Sequence, residues 1–246
     1  MHIHILGLFP DTFDTYFSQS LLGKARAKGL VTFHYHQLRD WSHNKHHAVD
    51  DKPYGGGSGM VIMADVVCAA VLALKKDHQI SRVVLPSPAG SPLIPAVAQR
   101  LSCEDSLLFV CGRYEGVDQR AIDKVVDEEI SIGDYVISGG ELAACVITDA
   151  VCRYIPGIVG KADSVENDSY QQGLLEHPHY TRPEIFEGVP VPQVLINGNH
   201  AEIKKWRKNE SIKRTLERRP DLIDRIKGAK PMSNNQGTTK KANNNG

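Results

Sequence analysis

The chain of 246 residues lacks the features of membrane and exported proteins. It contains no run of about 18 apolar residues, so we expect no transmembrane helix. The apolar segment 1–9 lacks the basic region and the small-residue cleavage site of a signal peptide. This segment is instead predicted to be a buried first strand, and the protein is predicted to be cytoplasmic.

Cysteine is scarce, at five residues in the whole chain. The number is odd, no C-x-x-C pair occurs, and most of the five have apolar neighbours. A disulfide framework or a zinc site is therefore not expected of them. Reduced and buried thiols are expected instead, as in cytosolic proteins generally. The five are Cys68, Cys103, Cys111, Cys145 and Cys152.

Two common nucleotide-binding signatures are also missing. The glycine-rich segment Gly55–Gly59 runs into Met60 rather than lysine, which argues against a P-loop. No G-x-G-x-x-G follows the first predicted strand, so the conventional dinucleotide fingerprint is absent. A nucleoside cofactor would therefore have to be held by other loops.

The net charge of zero conceals a strong asymmetry. Residues 200–246 contain 13 of the 29 Lys and Arg residues but only 5 of the 29 Asp and Glu residues. The first 199 residues therefore hold 16 basic and 24 acidic side chains. A basic carboxyl-terminal portion on an acidic body indicates contact with a polyanion, although a solvated helix face explains the charges equally well.

The first two-thirds of the chain alternates strand-like and helix-like segments, which predicts an α/β domain with a largely parallel sheet. The predicted strands are 1–9, 31–38, 81–86, 107–111 and 135–138. The predicted helices lie near 13–27, 63–76, 95–101, 119–126 and 142–154.

The rest of the chain is predicted to be a linker followed by a small helical domain. Asn199 and Glu202 resemble a capping box, so a helix is expected to begin there. A second short helix is predicted over 211–218, ending before Pro220. The Asn-, Gly- and Lys-rich tail is expected to be disordered. The predicted divisions are a first domain at 1–159, a linker at 160–194, a helical domain at 195–228 and a tail at 229–246.

Three glycine-containing loops each follow or flank an apolar strand. Glycine lets the backbone approach a ligand closely, and backbone amides can read an adenine edge without a charged side chain. Spacing alone does not identify the ligand, and each loop taken singly is also explained by a tight turn. The loops are Ser87-Pro-Ala-Gly90, Cys111-Gly-Arg-Tyr-Glu-Gly116 and Ser131-Ile-Gly-Asp-Tyr-Val-Ile-Ser-Gly-Gly-Glu141.

Several longer motifs are highly specific. They are Asp50-Asp51, Tyr54-Gly-Gly-Gly-Ser-Gly-Met60, the second and third loops above, His177-Pro-His-Tyr-Thr-Arg-Pro183, Gly198-Asn-His-Ala-Glu202 and Arg218-Arg-Pro220. Over about residues 1–225 the sequence closely resembles the bacterial tRNA (guanine-37-N1)-methyltransferase family, TrmD.

The resemblance implies a SPOUT-type parallel-sheet domain with a deep trefoil knot, a small helical domain, and a homodimer with its active site at the subunit interface. It also implies S-adenosylmethionine as methyl donor and tRNA as partner, gripped by the carboxyl-terminal helices. The cofactor residues implied are Ser87, Pro88, Gly112, Tyr114, Glu115, Ser131, Ile132, Gly133, Asp134, Tyr135, Val136, Ile137, Gly139 and Gly140, and the tRNA-binding residues are Lys204, Lys205, Arg207 and Lys208.

The implied reaction requires a base and a cationic donor. Guanine N1 carries a proton at neutral pH, and negative charge develops towards O6 as that proton leaves. Asp168 and Arg153 match the family positions for the base and for the O6 donor. Read without the resemblance, Asp168 is an N-cap or loop carboxylate and Arg153 a partner of a helix C-terminus.

The sequence does not locate a metal. Magnesium is associated with this family, but no site for it can be placed. His177, His179 and Arg182 lie in a proline-bounded segment where a metal is one explanation. The resemblance favours substrate contact or structural hydrogen bonding for these three.

Three positions depart from the family pattern. Ser58 and Ala143 stand where proline is usual, and Pro86 begins a Pro-Ser-Pro segment where Leu-Ser-Pro is usual. These changes bear on cofactor affinity rather than on catalysis, because none removes a charged group. Two other functions stay open: an inactive RNA-binding protein with this fold, and a related knotted methyltransferase acting on ribosomal RNA or on a ribose.

Overall fold

The computed structural model describes residues 1–160 and 168–228, with the backbone alone for 226–228. The predicted tail at 229–246 and part of the predicted linker, 161–167, lie outside the described residues. The chain divides into two compact units, Met1–Glu166 and Asn167–Gly246.

The first unit is built on a five-stranded parallel sheet, which confirms the predicted α/β class. The strand order is β2-β1-β6-β5-β7. β6 is central and entirely buried, as expected of a parallel strand covered on both faces. The strands are β1 (His2–Gly7), β2 (Thr32–Gln37), β5 (Arg82–Pro92), β6 (Ser106–Val110) and β7 (Glu128–Ser131), and the short β3 (Asp50–Asp51) and β4 (Val61–Ile62) form a separate antiparallel pair.

Two strand predictions were wrong. Residues 135–138 are irregular, with bends at 135 and 138, and the last strand of the sheet is β7. The Glu-Glu-Ile-Ser sequence of β7 does not resemble a strand, because glutamate is uncommon in strands. In the structure both glutamates are partly buried. β5 also continues beyond the predicted end at residue 86 to Pro92.

Six α-helices and one short 3-10 helix (Leu38–Trp41) accompany this sheet in the described part of the first unit. The α-helices are α1 (Asp14–Phe17), α2 (Ser20–Ala27), α3 (Ala64–His78), α4 (Pro95–Leu101), α5 (Gln119–Val125) and α6 (Gly140–Cys152). The single helix predicted over 13–27 is two helices, because Ser20 has a φ of 51° and interrupts the right-handed backbone.

Alternate residues of the central strands enter two apolar clusters, one on each face of the sheet. In β6, Leu107 and Phe109 join one cluster while Leu108 and Val110 join the other. Residues of α4 and α6 pack in the first cluster, and residues of α3 and α5 pack in the second. This two-sided core fixes the strand ends that carry the glycine loops.

The second unit contains a short hairpin, a 3-10 helix (Gln193–Leu195) and two α-helices among its described residues. The hairpin joins β8 (Ile185–Phe186) to β9 (Val189–Pro190), and the helices are α7 (His200–Arg218) and α8 (Pro220–Gly228). The separate helix predicted over 211–218 was wrong, since α7 is continuous and α8 begins at Pro220, where a proline is tolerated. No described helix is long and apolar enough to cross a membrane.

The start of α7 is capped as predicted, but the reciprocal half of the capping box is not formed. Asn199 Oδ1 accepts hydrogen bonds from the backbone N–H groups of Ala201 and Glu202, at 3.2 and 3.3 Å. Glu202 instead accepts from Asn197 Nδ2 at 3.0 Å. The helix therefore begins by an asparagine cap alone.

Candidate active site

A cleft of about 440 Å³ lies where β5, β6 and β7 reach their carboxyl ends. This edge of a parallel sheet is the usual place for a ligand. The three predicted loops converge on the cleft, and of the predicted cofactor residues only Asp134 does not line it. Those that do are Ser87, Pro88, Gly112, Tyr114, Glu115, Ser131, Ile132, Gly133, Tyr135, Val136, Ile137, Gly139 and Gly140.

The first loop is a detour within β5. Pro86 and Ser91 both pair with Ile130 of β7, so residues 87–90 leave the sheet and return opposite the same partner. A Cβ on Gly90 would collide with the backbone of Glu129 and Ile130. Glycine is therefore required where the returning chain crosses β7.

The second and third loops are joined through their backbones. Gly140 N–H donates to the carbonyl oxygen of Gly112 at 2.8 Å. A Cβ on Gly140 would lie 2.9 Å from Cys111 Cα and 2.9 Å from Gly112 N. The start of α6 thus packs directly against the end of β6, and the cleft wall there is bare backbone.

An ion pair between a half-buried arginine and a buried glutamate, not predicted from sequence, supports this junction. Arg113 Nε lies 3.0 Å from Glu141 Oε2, and the Glu141 side chain is 1% exposed. Glu141 Oε1 also accepts from the Phe9 N–H at 3.3 Å, and the Arg113 guanidinium lies 4.8 Å from the Phe9 ring centroid. The signal for this pair in the sequence was that the second glycine loop carries Arg113 and the third carries Glu141. The pair fixes the two loops and the end of β1 to one another.

Burial and the Glu141 carboxylate raise the pKa of the Cys111 thiol well above its usual value. Cys111 is therefore a neutral packing residue beneath the cleft. All five cysteines are free thiols: three are buried, Cys68 is half-buried and Cys103 is exposed.

Glu115 connects the cleft to the glycine-rich segment before β4. Its backbone N–H donates to Met60 O at 3.0 Å, and a Cβ on Gly59 would collide with its carboxylate. Gly59 also has a φ of +87°, which disfavours any side chain. Glu115 can therefore either face a ligand or position this segment.

The two predicted catalytic residues belong to different units. Arg153 directly follows α6 in the first unit, and Asp168 belongs to the second. Asp168 begins a turn, with Gln171 N–H donating to its carbonyl oxygen at 3.3 Å, so it is not the N-cap of a following helix. Neither residue is among those lining the cleft.

The predicted tRNA-binding side chains are all exposed on α7. They are Lys204, Lys205, Arg207 and Lys208. Trp206 is partly buried, with its ring centroid 6.3 Å from that of Tyr180 and 6.2 Å from that of His177. The helix therefore packs an aromatic residue against the His177–Pro183 motif while its cations face solvent.

The His177–Pro183 motif also gathers possible metal donors. Donor atoms of Glu176, His177 and His179 lie within 4.8 Å of one another. His179 Nε2 is 3.0 Å from Glu176 Oε1, and His177 Nδ1 is 3.1 Å from Pro178 O. These contacts are compatible with either of the interpretations left open by the sequence.

Known proteins provide a direct comparison. The family described as tRNA (Guanine-1)-methyltransferase TrmD matches residues 1–225. Relatives named tRNA (guanine-N(1)-)-methyltransferase include one from Dehalococcoides mccartyi strain 195, 50% identical over 92% of each chain. The relative from Geobacter sp. strain M21 is 49% identical over 94% of this chain and 92% of its own. That from Syntrophotalea carbinolica is 50% identical over 92% and 91%.

Proposed function

The chain belongs to the TrmD family of tRNA (guanine-N1)-methyltransferases, and we propose that it methylates N1 of guanine 37, on the 3′ side of the tRNA anticodon, with S-adenosylmethionine as donor. The observation that carries the proposal is the cleft at the carboxyl ends of β5, β6 and β7. Three separate loops meet there, two of which are family motifs, and nearly all the implied cofactor residues line it.

The cleft fits a nucleoside cofactor in size and chemistry. About 440 Å³ lies within the usual range of about 300–1,000 Å³ for small-molecule sites. Bare backbone at Gly112 and Gly140 allows the polar edge of an adenine to approach. The knotted, SPOUT-type form of this domain is proposed from the family to which the chain belongs. Ala143 also lines the cleft, so the departure from proline there bears on affinity.

S-adenosylmethionine, when bound, supplies an electrophilic methyl group. Asp168 accepts the N1 proton of guanine, which makes the N1 lone pair available for attack. Arg153 donates to O6 and stabilises the charge that develops there. A base and a cation in these roles are the least equipment that the reaction needs.

The second unit supplies the surface for the nucleic acid. The exposed cations of α7 neutralise tRNA phosphates, which adds affinity without reading sequence. We propose a cytoplasmic homodimer in which both subunits contribute to each active site, with magnesium assisting the reaction or the RNA.

The direct test is methyl transfer to unmodified tRNA transcripts. The full-length protein is incubated with S-adenosylmethionine labelled in its methyl group and a transcript carrying guanine at position 37. A transcript identical except for adenine at position 37 is the control. Label recovered as 1-methylguanosine from the first transcript only is expected. Label absent from both transcripts, or placed on another base or a ribose, would contradict the proposal.

A further inference from the structure

Five histidines gather on one face of the sheet, outside the cleft. β1 contributes His2 and His4, β2 contributes His34 and His36, and α3 ends at His78. The parallel register pairs His4 with His34 and Leu6 with His36. Because side chains alternate along a strand, all four strand histidines project to the same face. Leu6 packs on that face with residues of α3, which brings the end of α3 to the cluster.

The imidazole rings are in direct contact. His4 Nδ1 lies 2.9 Å from His36 Nε2, and His2 Nδ1 lies 3.0 Å from His34 Nε2. Ring centroids are 4.3 Å apart for His4 and His34 and 4.9 Å apart for His4 and His78. One ring nitrogen from each of His4, His36 and His78 lies within 4.8 Å of the other two.

We propose that His4, His36 and His78 bind a divalent transition-metal ion of the Zn²⁺ class, at a site separate from the methyl-transfer cleft. Imidazole nitrogen suits zinc, copper, nickel and cobalt, whereas magnesium and calcium prefer oxygen. At about 2.05 Å from a tetrahedral ion, two ligand nitrogens lie about 3.3 Å apart. Adjustment of the exposed His78 brings the third nitrogen to that spacing, and a water completes the coordination.

The state of the histidines supports this assignment. His4 is 1% exposed, at a strand position where the alternation would otherwise place an apolar residue. A buried polar ring is costly unless it is paired; His4 pairs with His36, and an ion bound between the two rings would satisfy both at once.

The experiment uses the full-length protein, purified without a histidine tag and stripped of metal with EDTA. Co²⁺ is the probe, because its visible absorption is strong in tetrahedral sites, and Zn²⁺ then competes for the same site. We expect stoichiometric Co²⁺ absorption in the unsubstituted protein. In His78→Gln, and in His36→Gln with His78→Gln, Zn²⁺ should bind at least about 100-fold more weakly, because losing a ligand exceeds the usual effect of losing an outer partner.

The matched control is His177→Gln with His179→Gln, which removes the other group of close donors in the described residues. This variant should keep the absorption of the His4 site. His78 is exposed at a helix end, so the His78→Gln protein should have the same melting temperature in EDTA as the parent. This single variant therefore tests the site even if the double variant does not fold.

Anomalous diffraction at the zinc edge should place the ion between His4, His36 and His78. The inference is overturned by any of three results: no Co²⁺ absorption in the parent, unchanged Zn²⁺ affinity in His78→Gln, or loss of binding only in the His177 and His179 variant. Methyl transfer does not enter this test, so its outcome is independent of the proposed function.

Discussion

The two units of the chain hold themselves together in different ways. The first buries apolar side chains from Ile3 to Ile158 on both faces of its sheet. In the described part of the second, only Leu222 and the polar Thr215 are buried. Thr215 Oγ1 accepts from the Leu175 N–H at 2.9 Å and donates to Ser211 O at 2.7 Å. The first unit is thus specified by its apolar core, and the described part of the second mainly by polar contacts.

The same contrast applies to binding. The cleft of the first unit has bare backbone in its wall at Gly112 and Gly140, where two chain segments pack closely. The proposed RNA surface of the second is a row of long, solvated cations. Substitutions in the first unit should therefore act through shape, and substitutions on α7 should act through charge and be sensitive to salt.

The largest effect is expected from replacing a buried leucine of the first unit by alanine. The same replacement of an exposed leucine in the second unit is the comparison. Leu108→Ala removes a fully buried side chain of β6 and should lower the free energy of unfolding by about 2–5 kcal/mol. Leu216→Ala, on α7, removes one that is 54% exposed and should change it by less than about 0.5 kcal/mol. Urea unfolding followed by circular dichroism measures both. Equal losses would mean that the second unit depends on a core as the first does.

Next in size is the chemical step. Asp168→Asn keeps the shape but cannot accept a proton, so single-turnover methylation at saturating tRNA and S-adenosylmethionine should slow by about 10²-fold or more. Arg153→Ala should slow it as well, and the two effects should be less than additive if both groups act in one transition state. Asp224→Asn, an exposed carboxylate of the second unit, is the control. An undiminished rate in Asp168→Asn would assign the proton to another group.

Removing the cations of α7 should weaken tRNA binding by about tenfold or more at low salt. The variant replaces Lys204, Lys205, Arg207 and Lys208 by Ala. Each lost phosphate contact should make the negative slope of log affinity against log salt shallower by about 0.7–0.9. Filter binding at several salt concentrations measures this, while calorimetry should show unchanged S-adenosylmethionine affinity. Lys28 and Lys76, exposed in the first unit, are the control pair for substitution by Ala. An unchanged slope would mean that the cations of α7 do not contact RNA phosphates.

The smallest effect is expected from one methyl group in the cleft wall. Gly140→Ala forces Cys111 and Gly112 to move, and such overpacking costs about 1–3 kcal/mol. S-adenosylmethionine affinity should fall at least about fivefold, while tRNA affinity should not change. Gly160→Ala, where the added carbon has open space, should leave both affinities unaltered. If the two variants behaved alike in calorimetry, the backbone junction would not shape the cofactor site.

The sequence predicted the parts of the molecule that depend on local pattern. Alternation of apolar segments gave the parallel sheet, and glycine spacing gave the three loops that meet at the cleft. It did not predict β7, whose acidic residues mask a strand, or the break at Ser20, which depends on a single backbone angle. The Arg113–Glu141 pair and the histidine cluster were missed because both depend on register between segments far apart in sequence.

The sheet order also has a consequence for the protein as it emerges from the ribosome. β1 lies between β2 and β6, so one side of it finds its partner soon after residue 37, and the other side must wait for residues 106–110. At about 5–20 residues per second, that delay is roughly 4–15 s. During this interval the nascent chain carries an apolar strand with an open hydrogen-bonding edge, the form most prone to pair with a neighbouring chain. Chaperone demand should therefore fall sharply once β6 has been synthesised.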